Sequence, residues 1–178
     1  TLVKTKSIGD EITELSGTLL PLKAVCEKAV FHQGEQQQGV ERLFRAGEKL
    51  AVSESAKSQF QTVETSLEES FKHIEAIFGQ AESLAAKAAR ESSDASDRQQ
   101  YEALDHELKA IQQRQTAYEN EIKAIETLFH QGKLQEAEEA EKKIYTEEEE
   151  LQKALAEFST NQIGRFVTTA AHNADAHE

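Results

Sequence analysis

Apolar residues recur along almost the whole chain in alternating steps of four and three, and few architectures tolerate that spacing. It places one continuous stripe on one face of an α-helix, as in the seam of a helical bundle. The first segment carries it through Ile8, Ile12, Leu15, Leu19, Leu22, Cys26, Ala29, Gln33, Gln36, Val40, Leu43, Gly47 and Leu50. The second runs from Ala56 and Phe60 to Leu84 and Ala88, and the third from Tyr101 and Leu104 to Ile125 and Phe129. In the fourth it passes through Ala137, Glu141, Ile144, Glu148, Leu151, Leu155, Phe158 and Gln162, reaching Phe166 by a further step of four. No stretch alternates with the period of two that a half-buried strand requires.

The stripe breaks where helix-ending chemistry occurs. Ser53 is placed to cap a second helix, and Ser96 with Gln99 has the spacing of a capping box for a third. Gly132 suits the left-handed position after a helix end. Pro21 lies within the first stripe, where a missing amide donor predicts a kink rather than a stop. The pattern gives four helices, over about residues 5–51, 54–91, 97–130 and 134–176, within a single domain. Short connections between long helices predict an all-α, antiparallel up-down-up-down four-helix bundle. Its length would be about 50 Å or more at the usual rise per residue. The first and last helices would overhang the Ser92–Asp97 connection by roughly a dozen residues or fewer, which suggests a membrane just beyond that end.

Charge narrows the functional classes. With 20 Lys+Arg against 33 Asp+Glu, the formal net charge is −13. Such a balance disfavours non-specific nucleic-acid binding and docking on anionic lipid, both of which need cationic surface. The one cysteine, Cys26, has no intrachain partner and reads as a small core residue. No run of about 18 apolar residues is present. The chain starts without Met, already in a helical pattern, and so reads as a piece of something longer.

Polar residues on stripe positions are the sharpest departure. Gln36 and Gln115 lie about fifteen residues before the ends of the first and third helices, and Ser70 and Glu148 about fifteen after the starts of the second and fourth, so an antiparallel bundle sets all four at about the same height. Gln33 sits one turn from Gln36, while Arg114, Lys72 and His73 flank the layer. A polar layer of this kind either fixes register or lines a small-molecule pocket between helices. On the second reading the ligand contacts are Gln33, Gln36, Gln115 and Glu148, with Arg114 holding an anion. No catalytic residue, metal site or cofactor is expected. A carboxylate-bridged di-iron site needs Glu-x-x-His on two helices, and no histidine here has Glu three positions earlier. Phosphate-binding glycine loops, Gly-x-Ser-x-Gly and Cys-x-x-Cys are absent too.

The stretch from Pro21 to Arg45 contains His32, Glu35, Gln36, Glu41 and Arg42 in the order His-x-x-Glu-Gln followed by Glu-Arg. It resembles the first helix of the four-helix-bundle sensor domain of bacterial methyl-accepting chemotaxis proteins. Ala170–Glu178 is similar to the segment leading to their second transmembrane helix. Gly34 and Gly39 depart from the pattern, where bulkier residues are usual. The resemblance implies a non-enzymatic periplasmic domain of an inner-membrane protein, held between two transmembrane helices and acting as a homodimer. It further implies that a small ligand or a binding protein displaces the last helix and so signals across the membrane. Two alternatives stay open: a scaffold bundle binding protein partners through acidic faces, and the sensor of a histidine kinase or cyclic-dinucleotide enzyme.

Overall fold

Helix punctuation obeys local chemistry closely. A computed structural model describes residues 8–175, with residues 8, 11, 15, 16, 173 and 174 described by backbone alone. The expected helical residues 5–7 and 176 lie outside the described residues, as does the inward placement of the Ile8 and Leu15 side chains. In chain order the elements are α1 (Ile8–Glu14), a π-helical turn (Leu15–Leu19), α2 (Leu20–Glu48), α3 (Glu54–Glu91), α4 (Ala95–His130), α5 (Leu134–Glu157), a second π-helical turn (Phe158–Ile163) and α6 (Gly164–Asp175). The described residues form no strand, and the π turns join their flanking segments, so that four long helices pack against one another.

The helix ends shift slightly from expectation. α2 stops at Glu48, and Lys49–Val52 form turns closed by bonds such as Lys49 N–H to the Ala46 carbonyl (3.2 Å). Ser53 precedes α3 as expected, yet its hydroxyl pairs with that of Ser55 (2.7 Å) instead of a backbone amide. α4 begins two residues early because Asp94, not Ser96, caps it: its carboxylate accepts the Ser96 N–H at 2.8 Å. At the far end of α4, Gly132 adopts φ +73°. The Lys133 N–H reaches the Leu128 carbonyl (2.9 Å) and the Gly132 N–H that of Phe129 (3.1 Å). This is the paired closure of a Schellman motif, which glycine enters without Cβ strain.

The chain divides into two compact units. Unit 1 comprises Thr1–Ala29, Ile77–Ile111 and Ala154–Glu178; unit 2 comprises Val30–Ala76 and Gln112–Lys153. In unit 1, α1 and the first π turn pack on α6, above a core that includes Leu22, Cys26, Phe78, Ala85, Leu108 and Phe158. Burial pushes the Cys26 thiol up to about 12, as befits an inert core residue. Unit 2 is centred on Phe44, Phe60 and Phe129, whose rings meet edge to face at 5.7 Å. Gly47 lets α2 approach Phe129 there, since a Cβ at residue 47 would sit 2.5 Å from that ring. Gly39 serves the same end against Leu67, where a Cβ would fall at 2.9 Å.

Each π turn moves the buried stripe. A π turn inserts about one extra residue, and this rotates the helical segments on its two sides by about 100° relative to each other. Ile12, expected to face inward, is 51% exposed, because it lies across the first π turn from Leu19 and Leu22. Gln162 is likewise exposed, and Ile163 is buried in its place. Pro21 accounts for the first turn: without an amide hydrogen it cannot bond to the Gly17 carbonyl, and the helix widens instead.

Candidate functional site

Every stripe position of α4 from Tyr101 to Phe129 is buried, including Gln115 and Tyr118. A regular helix therefore carries polar groups into the interior of unit 2, where they must find partners or leave a large desolvation cost. From α2, Gln33 (3% exposed) and Gln36 (1%) point at Gln115 (1%). Gln33 Nε2 donates to Gln115 Oε1 at 3.2 Å. Gln115 Nε2 donates in turn to Gln36 Oε1 (2.9 Å) and Glu119 Oε1 (3.0 Å). Gln115 has thus spent both amide hydrogens. Gln33 Oε1 and Gln36 Nε2 are buried without a hydrogen-bond partner, one acceptor and one donor left over.

A second polar contact links α4 to α5, where the Tyr118 hydroxyl donates to Glu148 Oε1. Burial pushes the Glu148 carboxyl up to about 7, against the stabilising hydrogen bond from Tyr118 and with help from the charge of Glu41. Burial beside the same carboxylate raises the Tyr118 phenol far above its ordinary range. Glu119 also rises to about 7, first through burial and then through Glu75, while Gln115 and Lys123 hold it back. Each carboxyl can therefore hold a proton near neutrality. Nearer the surface, Gln37 Nε2 donates to Gln152 Oε1 at 3.0 Å.

Four of the five residues that the sequence marks as ligand contacts are buried in this unit: Gln33, Gln36, Gln115 and Glu148. The first three form one network, and Glu148 pairs separately with Tyr118. Arg114 does not join them. Its side chain is 50% exposed and its Nη2 lies 3.7 Å from Glu150. There it lines a shallow pocket of about 240 Å³ with Tyr118, Glu121, Glu147 and others. Helical geometry explains the split, since a neighbour of Gln115 is turned about 100° away. Ser70 is only half-buried, and Lys72 and His73 are exposed. His73 meets the His32 ring edge to face at 4.5 Å, and His32 Nδ1 lies 3.1 Å from Glu35 Oε2.

Two members of these polar contacts, Tyr118 and Glu119, are not marked by the sequence as site residues. Tyr118 reads as an ordinary core aromatic until its hydroxyl is given a partner. Glu119 lies one turn beyond Gln115, a spacing that brings the two together on one face. Its position beside the apolar stripe was the available signal. Among the described residues no group of three or more His, Cys, Asp or Glu could hold a metal ion, and no helix is long and apolar enough to cross a membrane. Comparison with protein-family models, with curated proteins and with solved structures finds no match for this chain.

Proposed function

We propose that the chain is an antiparallel up-down-up-down four-helix bundle serving as the extracytoplasmic sensor domain of a chemoreceptor-like transmembrane signal transducer. The order of cross-helix pairs supports the topology within unit 2. Glu64 meets His130 while Glu68 meets Lys123, and Glu121 meets Lys143 while Arg114 meets Glu150. In both sets the numbering rises on one helix as it falls on the other.

The sensing role rests on one observation: the unpartnered Gln33 Oε1 and Gln36 Nε2 in the core of unit 2. A register device would gain by closing its own hydrogen bonds, because a buried unsatisfied polar group costs about 1–3 kcal/mol. One donor and one acceptor left over in the same network match a small polar ligand with the complementary pair, such as an amide or a protonated carboxylic acid. Arg114, half-exposed and beside Glu150, is not placed to hold an anion against these atoms. Signalling then requires that the ligand bind two packings of the helices unequally. A long helix that shifts as a unit is a known carrier of such a change. The resemblance of Pro21–Arg45 to chemoreceptor sensors supports a periplasmic location, flanking transmembrane helices and a homodimer.

A thermal-shift screen over amino acids, organic acids and amines tests the reading. Ligands should raise Tm, and Gln36→Leu and Gln115→Leu should abolish the rise. Stabilising ligands that bind both variants unchanged would move the site elsewhere. Sequencing about 60 residues beyond each end tests the membrane placement, which requires an apolar segment of about 20 residues on both sides.

A further inference from the structure

Unit 2 also brings two histidines together on its surface, outside the amide network. His32 stands on α2 and His73 on α3, and their rings meet with centroids 4.5 Å apart and planes at 63°. Both reach solvent, His32 with 24% of its side chain and His73 as an exposed residue. Two neighbours along α2 hold the His32 ring. Glu35, one turn on, places its Oε2 3.1 Å from His32 Nδ1, and Phe31 meets the ring edge to face at 5.5 Å. A carboxylate only accepts hydrogen bonds, so Nδ1 carries the proton and donates it. The lone pair of a neutral His32 is then on Nε2. A neutral His73 likewise offers one unprotonated ring nitrogen.

These features select a cation that takes imidazole. A carboxylate that fixes the tautomer of a histidine, leaving the other ring nitrogen free, is the outer half of a common metal-binding arrangement. The spacing agrees with it. Two imidazoles bound to one ion at about 2.0–2.1 Å, with bonds meeting at about 90–110°, hold their ring centres about 4.5–5 Å apart. The 4.5 Å between His32 and His73 meets that need, leaving only the ring planes to be turned onto the ion. Hard ions such as Mg²⁺ and Ca²⁺ prefer oxygen ligands. Cu²⁺, Ni²⁺ and Zn²⁺ take imidazole, Cu²⁺ most tightly. Among the described residues no group of three or more His, Cys, Asp or Glu makes a closed site, so water completes the coordination of a bound ion. With one ligand on each helix, the ion is a clip between α2 and α3.

We propose that His32 and His73 form a surface site for one divalent transition-metal ion of the Cu²⁺, Ni²⁺ and Zn²⁺ class, with Glu35 as the positioning residue that orients His32. The site stands whether or not the amide network takes a ligand. Calorimetric titration of the 178-residue chain with zinc chloride and with nickel chloride at about pH 7.5 tests it, with magnesium chloride as the hard-ion control. Zinc and nickel should each bind one to one and raise Tm, and magnesium should do neither. With one equivalent of copper chloride, electron paramagnetic resonance should count two ligand nitrogens. His32→Ala and His73→Ala should each remove zinc binding and the two-nitrogen signal. His73 is exposed, so its variant carries the test even where His32→Ala does not fold. Glu35→Ala should weaken zinc about tenfold or more, and Glu35→Gln, which keeps an acceptor for Nδ1, by less. His106→Ala and His130→Ala should leave zinc binding unchanged. Zinc binding that survives His73→Ala overturns the proposal. So does binding lost equally in His106→Ala or His130→Ala, a copper signal with fewer than two nitrogens, or neither heat nor a rise in Tm with zinc and nickel.

Discussion

The two units depart from an ideal bundle in opposite ways. In unit 2 the described helices run as unbroken α-helix, and the irregularity is chemical: Gln33, Gln36, Gln115, Glu119 and Glu148 are buried among apolar residues. In unit 1 the irregularity is in the backbone, with π turns at Leu15–Leu19 and Phe158–Ile163. The buried polar residues recorded there, Thr18 and Ser159, both sit on those turns. The lesson is that a polar side chain in unit 2 answers to other side chains. In unit 1 it accompanies a helix whose own hydrogen-bond ladder has been interrupted.

The largest test of the contrast lies on the unit 1 side. Phe158→Ala removes a ring that is 1% exposed at the second π turn, and should cost about 3–5 kcal/mol in a urea melt. A loss below about 1 kcal/mol would mean that the widened turn collapses onto the gap. Next comes the network in unit 2. Gln115→Leu strips partners from Gln33, Gln36 and Glu119 at once and should cost about 2–4 kcal/mol. Adding Gln33→Leu and Gln36→Leu should recover part of that loss, because an apolar core is cheaper than a half-satisfied polar one. A triple variant no better than the single one would make shape, not polarity, the controlling factor.

Protonation gives a smaller effect. Burial raises Glu119 and Glu148 from 4.5 to about 7, so between those values the native state holds protons that the unfolded chain has lost. Their contribution is complete below about pH 4.5 and disappears as pH rises through about 7. Stability should therefore fall from about pH 5 to about pH 8 by about 1–2 kcal/mol per carboxyl, after allowance for screening. Glu119→Gln with Glu148→Gln should flatten the profile measured by Tm. A double variant with the parent's slope would assign the effect to Glu14, Glu126 and Glu147, which burial and neighbouring carboxylates also raise to about 7. Smallest of all, Arg114→Ala should change stability by less than about 0.5 kcal/mol, because its partner Glu150 is as exposed as it is. A larger loss would show that Arg114 supports the buried pair beside it.

Much of this was written in the period of the sequence. The α4 stripe, the end of α4 at Gly132 and the burial of three glutamines and Glu148 all come from spacing and turn chemistry, which act between residues a few positions apart. Ile12 and Gln162 escaped that logic because a fixed step of four and three presumes an unbroken α-helix. Pro21 signalled a disturbance on the first helix; nothing comparable marks Phe158–Ile163. The inward turn of Glu119 and the outward turn of Arg114 depended on how wide the buried face is, which a one-residue stripe does not record.

By itself, then, the sequence determined that the chain is helical, where the helices break and which face of each is apolar. Local propensity, capping and periodicity suffice for that. Tertiary structure alone decided which polar groups meet. Gln33 and Gln115 are 82 positions apart, and Tyr118 and Glu148 are 30 apart. Only packing of the four helices brings such groups within hydrogen-bond reach, and only that packing removes the water that would otherwise have satisfied the atoms left over at Gln33 and Gln36.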